Sequence, residues 1–375
     1  MYYYDSMKTA LTLLITIFFL PVALHAQEIH EDLQGVWSAK VVDIIEDGTK
    51  LVPGTETETI YQVINAEILE GEKKGEVIEL ENDYLALREG QKFFLSYLIT
   101  IDGRELYAVR DIDRRGALLL LTLFFITVVV VFGKWQGVRS IVSLIGSFLV
   151  IIFVLLPLLL QGFNPVVVSI LIGSVILFVA IFFTHGFTFQ SLIAFSGTTI
   201  TIVVTGIMAF VSIELLQLSG FFSDETVYLN FGTNGLLDFK GLLLGGMIIG
   251  VLGVLDDIAI TQVSIVRELA KHSSNLSAFN LYESAMTVGR EHVGALVNTI
   301  VLAYAGVSLP LLLWFSQSEA SFGTIINNEV FATEIARTIV GSIGLILAVP
   351  VTTFLAVYFR QKLLTSKSTH THHHH

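Results

Sequence analysis

The chain contains no cysteine. Disulfides, thiolate metal sites and cysteine nucleophiles are therefore excluded. Charge is scarce as well: 14% of the 375 residues are Asp, Glu, Lys or Arg, against about a quarter in soluble domains. Two hydrolase signatures are missing, Gly-x-Ser-x-Gly and His-Glu-x-x-His. No internal repeat is visible, so an inverted-repeat transporter fold has no support in the sequence.

What the chain has instead is apolar residues, 53% of the total, in long uninterrupted runs. Seven follow residue 113, at 117–132, 140–160, 165–184, 191–218, 241–264, 293–315 and 335–359. Runs of about 18 or more read as membrane helices. Ahead of them, residues 30–113 carry shorter segments rich in Val, Ile, Tyr and Phe at 36–45, 59–69, 76–81, 92–101 and 105–110. Turn signals at Asp47-Gly48, Gly71 to Gly75 and Asp102-Gly103 separate them, which predicts five strands in a small OB-like barrel. Lys8, an apolar stretch over 10–24 and Ala26 before Gln27-Glu28 have the form of a secretory signal. A cleaved peptide and an uncleaved anchor are both compatible with it, and either exports the β segment. His370, Thr371 and His372 to His375 read as an affinity tag. The expected organisation is a signal segment over 1–26 and an exported β domain over 27–113. A polytopic helical domain over 114–364 and a tail over 365–375 complete it.

The net charge of −12 is concentrated in one place: residues 27–113 hold 20 acidic and 8 basic residues, while 114–375 hold 12 of each. An acidic surface disfavours nucleic acid and reads as a solvated face that keeps the segment soluble. Orientation follows from the basic residues. With the β domain outside, the inner loops hold Lys134, Arg139, Arg267, Lys271, Arg290, Arg360, Lys362 and Lys367, and the outer loops only Lys240 and Arg337. The positive-inside rule then predicts an external β domain and a cytoplasmic C-terminus in a bacterial cell membrane. Arg114 and Arg115 run against the rule, but they follow a folded exported domain, where it is weak.

Polar groups inside the apolar runs are the candidate functional residues. An ionisable side chain at the bilayer centre costs about 2.5–3.5 kcal/mol on insertion scales. The fifth run nevertheless contains Asp256 and Asp257. At about 1.5 Å per residue from Gly241, Asp256 lies on the order of 22 Å in, past the midplane. Gly246, Gly250, Gly253, Asp257, Thr261, Ser264 and Glu268 are spaced 4, 3, 4, 4, 3 and 4 apart, one face of one helix. Its glycines let another helix approach, and its polar half must face protein or water. Gly253 is also a place where the helix could break and present a free end. Asp256, Ile260, Val263 and Arg267 fall beside the stripe, and Asp256 is expected to pair with Thr or Arg groups nearby. A second cluster opens the sixth run, with Arg290, Glu291 and His292 at its mouth and Asn298 about two turns further in. Asn298 needs hydrogen-bond partners at that depth. Thr198, Thr201, Thr205 and Ser212 share a face of the fourth run, where hydroxyls can bond their own backbone and packing is the reading.

The stretch Gly253-Val254-Leu255-Asp256-Asp257-Ile258-Ala259-Ile260-Thr261-Gln262, with Glu268 after it, is followed by Gly289-Arg290-Glu291-His292, Asn298-Thr299 and Ala303 to Pro310. In this order, and with His185-Gly186-Phe187 before the fourth run, the motifs resemble the YibE/F-like family of multi-pass bacterial membrane proteins. Glu291 stands where the family pattern has Asp. The resemblance implies a polytopic membrane protein with an exported N-terminal domain and supplies no biochemical activity.

The residues favour transport of an ion or small solute, with Asp256, Asp257, Thr261, Ser264, Glu268 and Asn298 along the path and Arg267, Arg290, Glu291 and His292 in gating or coupling. No cofactor is expected. The partners expected are the lipid bilayer and the solute, with a homo-oligomer left open. The alternative is a non-transporting sensor or assembly factor whose β domain binds a ligand or partner. An intramembrane hydrolase is the third reading, weakened because adjacent residues on one helix point about 100° apart and cannot form a facing dyad.

Overall fold

The computed structural model describes residues 34–100, 103–233, 235–272 and 276–365. The expected signal segment and histidine tag lie outside these residues, as does Asp102 of the expected Asp-Gly turn. The chain divides into two compact units, one ending at Leu123 and one beginning at Phe124.

In the first unit, β1 (Gln34–Leu51), β2 (Glu58–Ile68), β3 (Val77–Asn82), β4 (Lys92–Ile99) and β5 (Glu105–Ile112) form one antiparallel sheet in the order β3-β2-β1-β4-β5. β1 is long because it serves two partners: residues 34–40 pair with β4 and residues 39–51 with β2. Register shifts between Val41 and Asp43 and between Ile44 and Glu46 bend it, as bulges do. The sheet therefore curls into a half-barrel whose ends, β3 and β5, approach each other without a hydrogen-bonded ladder. Alternate residues of β2 point inward, Ile64, Ala66 and Ile68 joining Ala39, Val41, Phe93 and Leu95 in the core.

Buried Gln62 ties the β3–β4 loop to this core. Its Oε1 accepts from the Leu87 N–H at 2.8 Å and from Asn82 Nδ2 at 3.1 Å, and its Nε2 donates to the Leu87 carbonyl. Trp37 stacks on Tyr97 with centroids 3.8 Å apart. Gly71, at φ +85°, passes so close to the Trp37 indole that a Cβ would overlap it. At the end of the sheet, Arg115 grips Asp113 with two nitrogens, at 2.8 and 2.9 Å, and holds its carboxyl down at about 2.

The second unit is helical. α1 (Arg115–Val150) starts in the first unit and runs into the second, and continues through a π-helical turn, Ile151–Leu155, into α2 (Leu156–Leu160), where Pro157 removes a backbone donor. Then come α3 (Pro165–His185), α4 (Phe189–Leu215), the short α5 (Asp224–Gly232) and α6 (Phe239–His272). α7 (Ala278–Val307), α8 (Leu309–Ser316), α9 (Phe322–Ile326), α10 (Glu329–Tyr358) and α11 (Arg360–Thr365) complete it. Five stretches are long and apolar enough to cross a membrane: Arg115–Leu160, Pro165–His185, Phe189–Leu215, Phe239–His272 and Glu329–Tyr358. A sixth, α7 with α8, is bent by 64°, with Ser308 between the two helices and Pro310 in the first turn of the second.

Several sequence boundaries move. α6 runs unbroken through Gly253, so no free helix end forms there. It also extends past Ser264, and α7 starts at Ala278, so Arg267, Arg290, Glu291 and His292 are helical rather than in a long loop, and Glu268 lies on the helix as its spacing predicts. Arg337 lies two turns inside α10 and not in an outer loop. Lys134 interrupts α1 with φ 48° and ψ −134°. A Cβ on Gly137 would overlap the Val129 carbonyl, eight residues earlier. In a straight helix those residues would be about 12 Å apart along the axis, so the chain doubles back at Lys134.

α6 is the hub of the unit and touches α3, α4, α7, α10 and α11. Hydroxyls meet glycines at its seams and its neighbours': Ser169 against Gly245, Thr205 against Gly344 and Thr352 against Gly197. On α4, Thr201 and Thr205 donate to the carbonyls of Gly197 and Thr201 at 2.9 and 2.8 Å, which leaves their methyl groups for packing. At the α10 N-terminus, Glu329 Oε1 accepts from the Ser219 N–H, the Ser219 hydroxyl and the Gly220 N–H at 2.6–3.0 Å.

Two substitutions test this packing. Gly71→Ala should destabilise the half-barrel by about 1–3 kcal/mol, since it adds a Cβ at positive φ against an aromatic ring. The readout is Trp37 fluorescence on heating, with Trp135 and Trp314 replaced by Phe. Glu329→Ala strands two backbone donors and a hydroxyl and should cost about 1–3 kcal/mol of helical-unit stability in detergent. An unchanged melt would remove that role.

Candidate functional site

The site is built on α6. Most of this helix is covered by its neighbours: Leu243, Leu244, Met247, Ile248, Val251, Leu255, Ile258, Ala259, Val263 and Val266 are all buried. The glycine and acid stripe is the exception. Gly246, Gly250, Gly253 and Asp257 are exposed, Thr261 and Ser264 are half-buried, and Glu268 is exposed. The periodicity places the stripe correctly on one face, and that face is open.

Asp256 is half-buried at the edge of the stripe and Asp257 stands on it. Neither carboxylate is reached by another side chain through a hydrogen bond or ion pair among the described residues, so the expected pairing of Asp256 with a nearby Thr or Arg does not form. Arg267 turns instead to Gln190, at the start of α4, and donates to its Oε1 at 3.3 Å. Gln190 Nε2 in turn donates to Ser264 Oγ, and Ser264 donates to the Ile260 carbonyl at 2.8 Å. This chain of polar groups occupies the end of α6 nearer His272. Beyond it Glu268 pairs with Lys271 at 2.6 Å.

α7 lies antiparallel to α6, packs on α10 as well, and makes two close contacts at its glycine and tyrosine positions. Gly289 presses against Gln262 of α6 and Val349 of α10, and the Tyr304 hydroxyl sits 2.6 Å from where a Gly250 Cβ would be. Buried Gln262 also accepts from the Thr353 hydroxyl at 3.3 Å. Between these two contacts α7 is largely exposed. Arg290, Glu291, His292 and Asn298 project into open space, and no hydrogen bond or ion pair joins them to Asp256 or Asp257 among the described residues. The structure thus assembles Gln190, Ser264 and Arg267, and leaves the carboxylates and Asn298 on neighbouring helices without joining them.

A second polar feature was not singled out from sequence. At the bend between α7 and α8, a crevice of about 220 Å3 opens against α10, lined by Tyr304, Ser308, Phe331, Glu334 and Thr338 among others. Glu334 accepts from Arg337 Nη1 at 2.8 Å, both half-buried, and Arg337 lies over Phe222 at 5.5 Å. The Glu334-x-x-Arg337 spacing behind the Asn328 cap was a readable signal of a helix, but assigning Arg337 to a loop hid it. Gln262 was likewise passed over inside its motif. No group of three His, Asp or Glu residues that could hold a metal occurs among the described residues.

No curated protein matches this chain. No solved structure matches it either. A sequence model described as YibE/F-like protein matches residues 121–362, which include α3 to α10 and every site residue named above. The chain belongs to the YibE/F-like protein family.

Proposed function

We propose that this protein is a multi-pass protein of a bacterial cell membrane that moves a cation, a proton or another small solute, using Asp256 and Asp257 as its intramembrane site. One observation carries the reading. A helix otherwise buried by its neighbours keeps two adjacent carboxylates on and beside an open face, at a depth where lipid cannot solvate them. Thr261, Ser264, Gln190 and Arg267 continue that polarity along α6. Carboxylate and hydroxyl oxygens are the ligands that hard cations and protons exchange between. The two aspartates differ in exposure and sit about 100° apart on one helix, which suits sequential handling of a cation rather than a hydrolytic dyad.

In this reading the chain crosses seven times. The stretch from Arg115 to Leu160 is 46 residues long, about 69 Å if straight, twice the roughly 30 Å hydrocarbon core. This reading takes the reversal at Lys134 as the turn between two crossings, with Lys134 and Arg139 on the cytoplasmic side beside Arg267, Lys271 and Arg290. The half-barrel is then external and OB-like, since closing β3 onto β5 gives the ring β1-β2-β3-β5-β4.

In proteoliposomes, Asp257→Asn and Asp256→Asn should each lower cation or proton flux by at least about ten-fold, because the site's charge is removed from a low-dielectric position. Yield and monodispersity should be unchanged. Wild-type flux in both variants would sink the proposal. Topology has a separate readout. In a chain without native cysteine, Phe163→Cys should react with an impermeant maleimide on intact cells, and Trp135→Cys only after permeabilisation. Labelling of both from the same side would rule out seven crossings.

A further inference from the structure

The glycines of the helical unit fall into two sets. Gly173, Gly197, Gly206, Gly245, Gly289 and Gly344 each have another helix's side chain against them, so the fold of one chain accounts for them. Gly246 and Gly253 on α6, Gly294 and Gly306 on α7 and Gly133 on α1 are among those with nothing within 4 Å of an ideal Cβ. No contact among the described residues requires glycine there. Two of these open glycines adjoin polar groups that also lack partners: Gly253 stands one turn from Asp257, and Gly294 one turn from Asn298.

Asp257 offers only acceptors when ionised, and Asn298 carries two amide donors. Both are exposed and neither is hydrogen-bonded within the chain among the described residues. Their depths agree. The contacts Gln262–Gly289 and Gly250–Tyr304 register α6 against α7. They span about 18 Å of α6 and about 22 Å of α7. Interpolating between them puts Asn298 within one turn, about 5 Å, of the level of Asp256 and Asp257. Donor and acceptor thus lie in one layer, on two helices that do not bring them together.

We infer that a second copy of this chain covers this face, the Asn298 amide of each copy bonding Asp257 of the other across a two-fold axis normal to the membrane. Both copies insert with the same orientation, so their symmetry axis must be the membrane normal, and such an axis preserves depth. A group on α7 therefore meets its partner on the other copy's α6 only if the two lie at equal depth, as these do. The open glycines allow the close backbone approach that helix association in lipid relies on. Donor–acceptor complementarity between the Asn298 amide and the Asp257 carboxylate selects this occupant over lipid tails, which can bond neither group. The inference deepens the transport reading, because the carboxylate site is then completed by the partner's amide.

The test uses the native absence of cysteine. Gly253→Cys and Gly294→Cys are made in two differently tagged full-length copies, co-expressed and treated in membranes with a bis-maleimide long enough to bridge the roughly 8 Å that the same interpolation puts between their levels, beyond the reach of a disulfide. The open space at both positions lets the thiols fit without refolding. A cross-linked product carrying both tags is expected, and Asn298→Leu should lower its yield about five-fold, while Asn298→Asp with Asp257→Asn should restore it. Failure of every such pair to cross-link, with monomeric step counts in single-molecule photobleaching from bilayers, would overturn the interface. So would cross-linking confined to the doubly substituted single chain. Flux is measured on the same preparations. Cross-linking with normal flux in the Asp256→Asn and Asp257→Asn variants rejects the transport reading alone, and flux without cross-linking rejects the interface alone.

Discussion

A hydrocarbon medium accepts no hydrogen bonds and donates none, and this one constraint organises the helical unit. Each polar side chain on an apolar helix must find its partner within the protein or in water that the protein admits. The threonines of α4 meet the demand locally, by donating to their own helix backbone. Gln262 meets it across a helix seam, with Thr353. Gln190, Ser264 and Arg267 meet it as a chain of three. Glu329 uses its carboxylate to satisfy backbone donors that would otherwise be stranded at a loop. The Ser169, Thr333, Ser342 and Thr352 hydroxyls are buried without a partner among the described residues, whereas Asp257 and Asn298, also without a hydrogen bond there, stand on exposed faces.

Helix packing obeys the same logic. Without a hydrophobic drive between helices in lipid, close contact must come from shape and from hydrogen bonds. α3, α4, α6 and α10 come close where glycine on one faces a hydroxyl-bearing side chain on another, as in Gly245 with Ser169 and Gly344 with Thr205. α7 joins this group by packing on α10 and by meeting α6 through Gly289 at one end and Tyr304 at the other. Its middle is left free, and that is where Asn298 sits. The first helical hairpin has few such contacts. It meets the rest chiefly through Leu155 and Leu159 against Val168, an apolar seam without polar registration.

Much of this was legible in the residues. Segments rich in Val, Ile, Tyr and Phe between turn signals marked the strands, and long apolar runs marked the helices, because both signals are carried by local composition. The stripe from Gly246 to Glu268 was assigned to one helix face correctly, since a 3.6-residue period needs no tertiary information. What periodicity cannot say is which way the face points, and α6 turns it toward open space while burying the aliphatic side. The bend at Ser308 had a local cause in Pro310, but its size depends on how α8 is placed. Glu334 and Arg337 were missed for a different reason. Their pairing is local, but a run boundary drawn by hydropathy alone fell at residue 335, between the two, while the helix begins at Glu329.

The backbone irregularities occur away from the carboxylates, and this limits how the site can operate. Lys134 reverses the chain in α1, Pro157 comes after a π-turn, and Ser308 divides α7 from α8. α6 itself runs from Phe239 to His272 without a break. Unwound carbonyls and free helix ends, which many transporters use to hold ions, are therefore not available beside Asp257. Side chains must do that work, and one helix face supplies acceptors but few donors. Under the transport reading, the site needs a second helix at the same depth, and α7 provides it only by moving or by arriving from another copy. The bend at Ser308 adjoins the crevice near Tyr304 and Glu334, and Tyr304 is also the contact that holds α7 to Gly250. A shift at the bend would act directly on that contact, so the freedom of α7 between Gly289 and Tyr304 is the mechanical variable that decides whether Asp257 faces an amide or water.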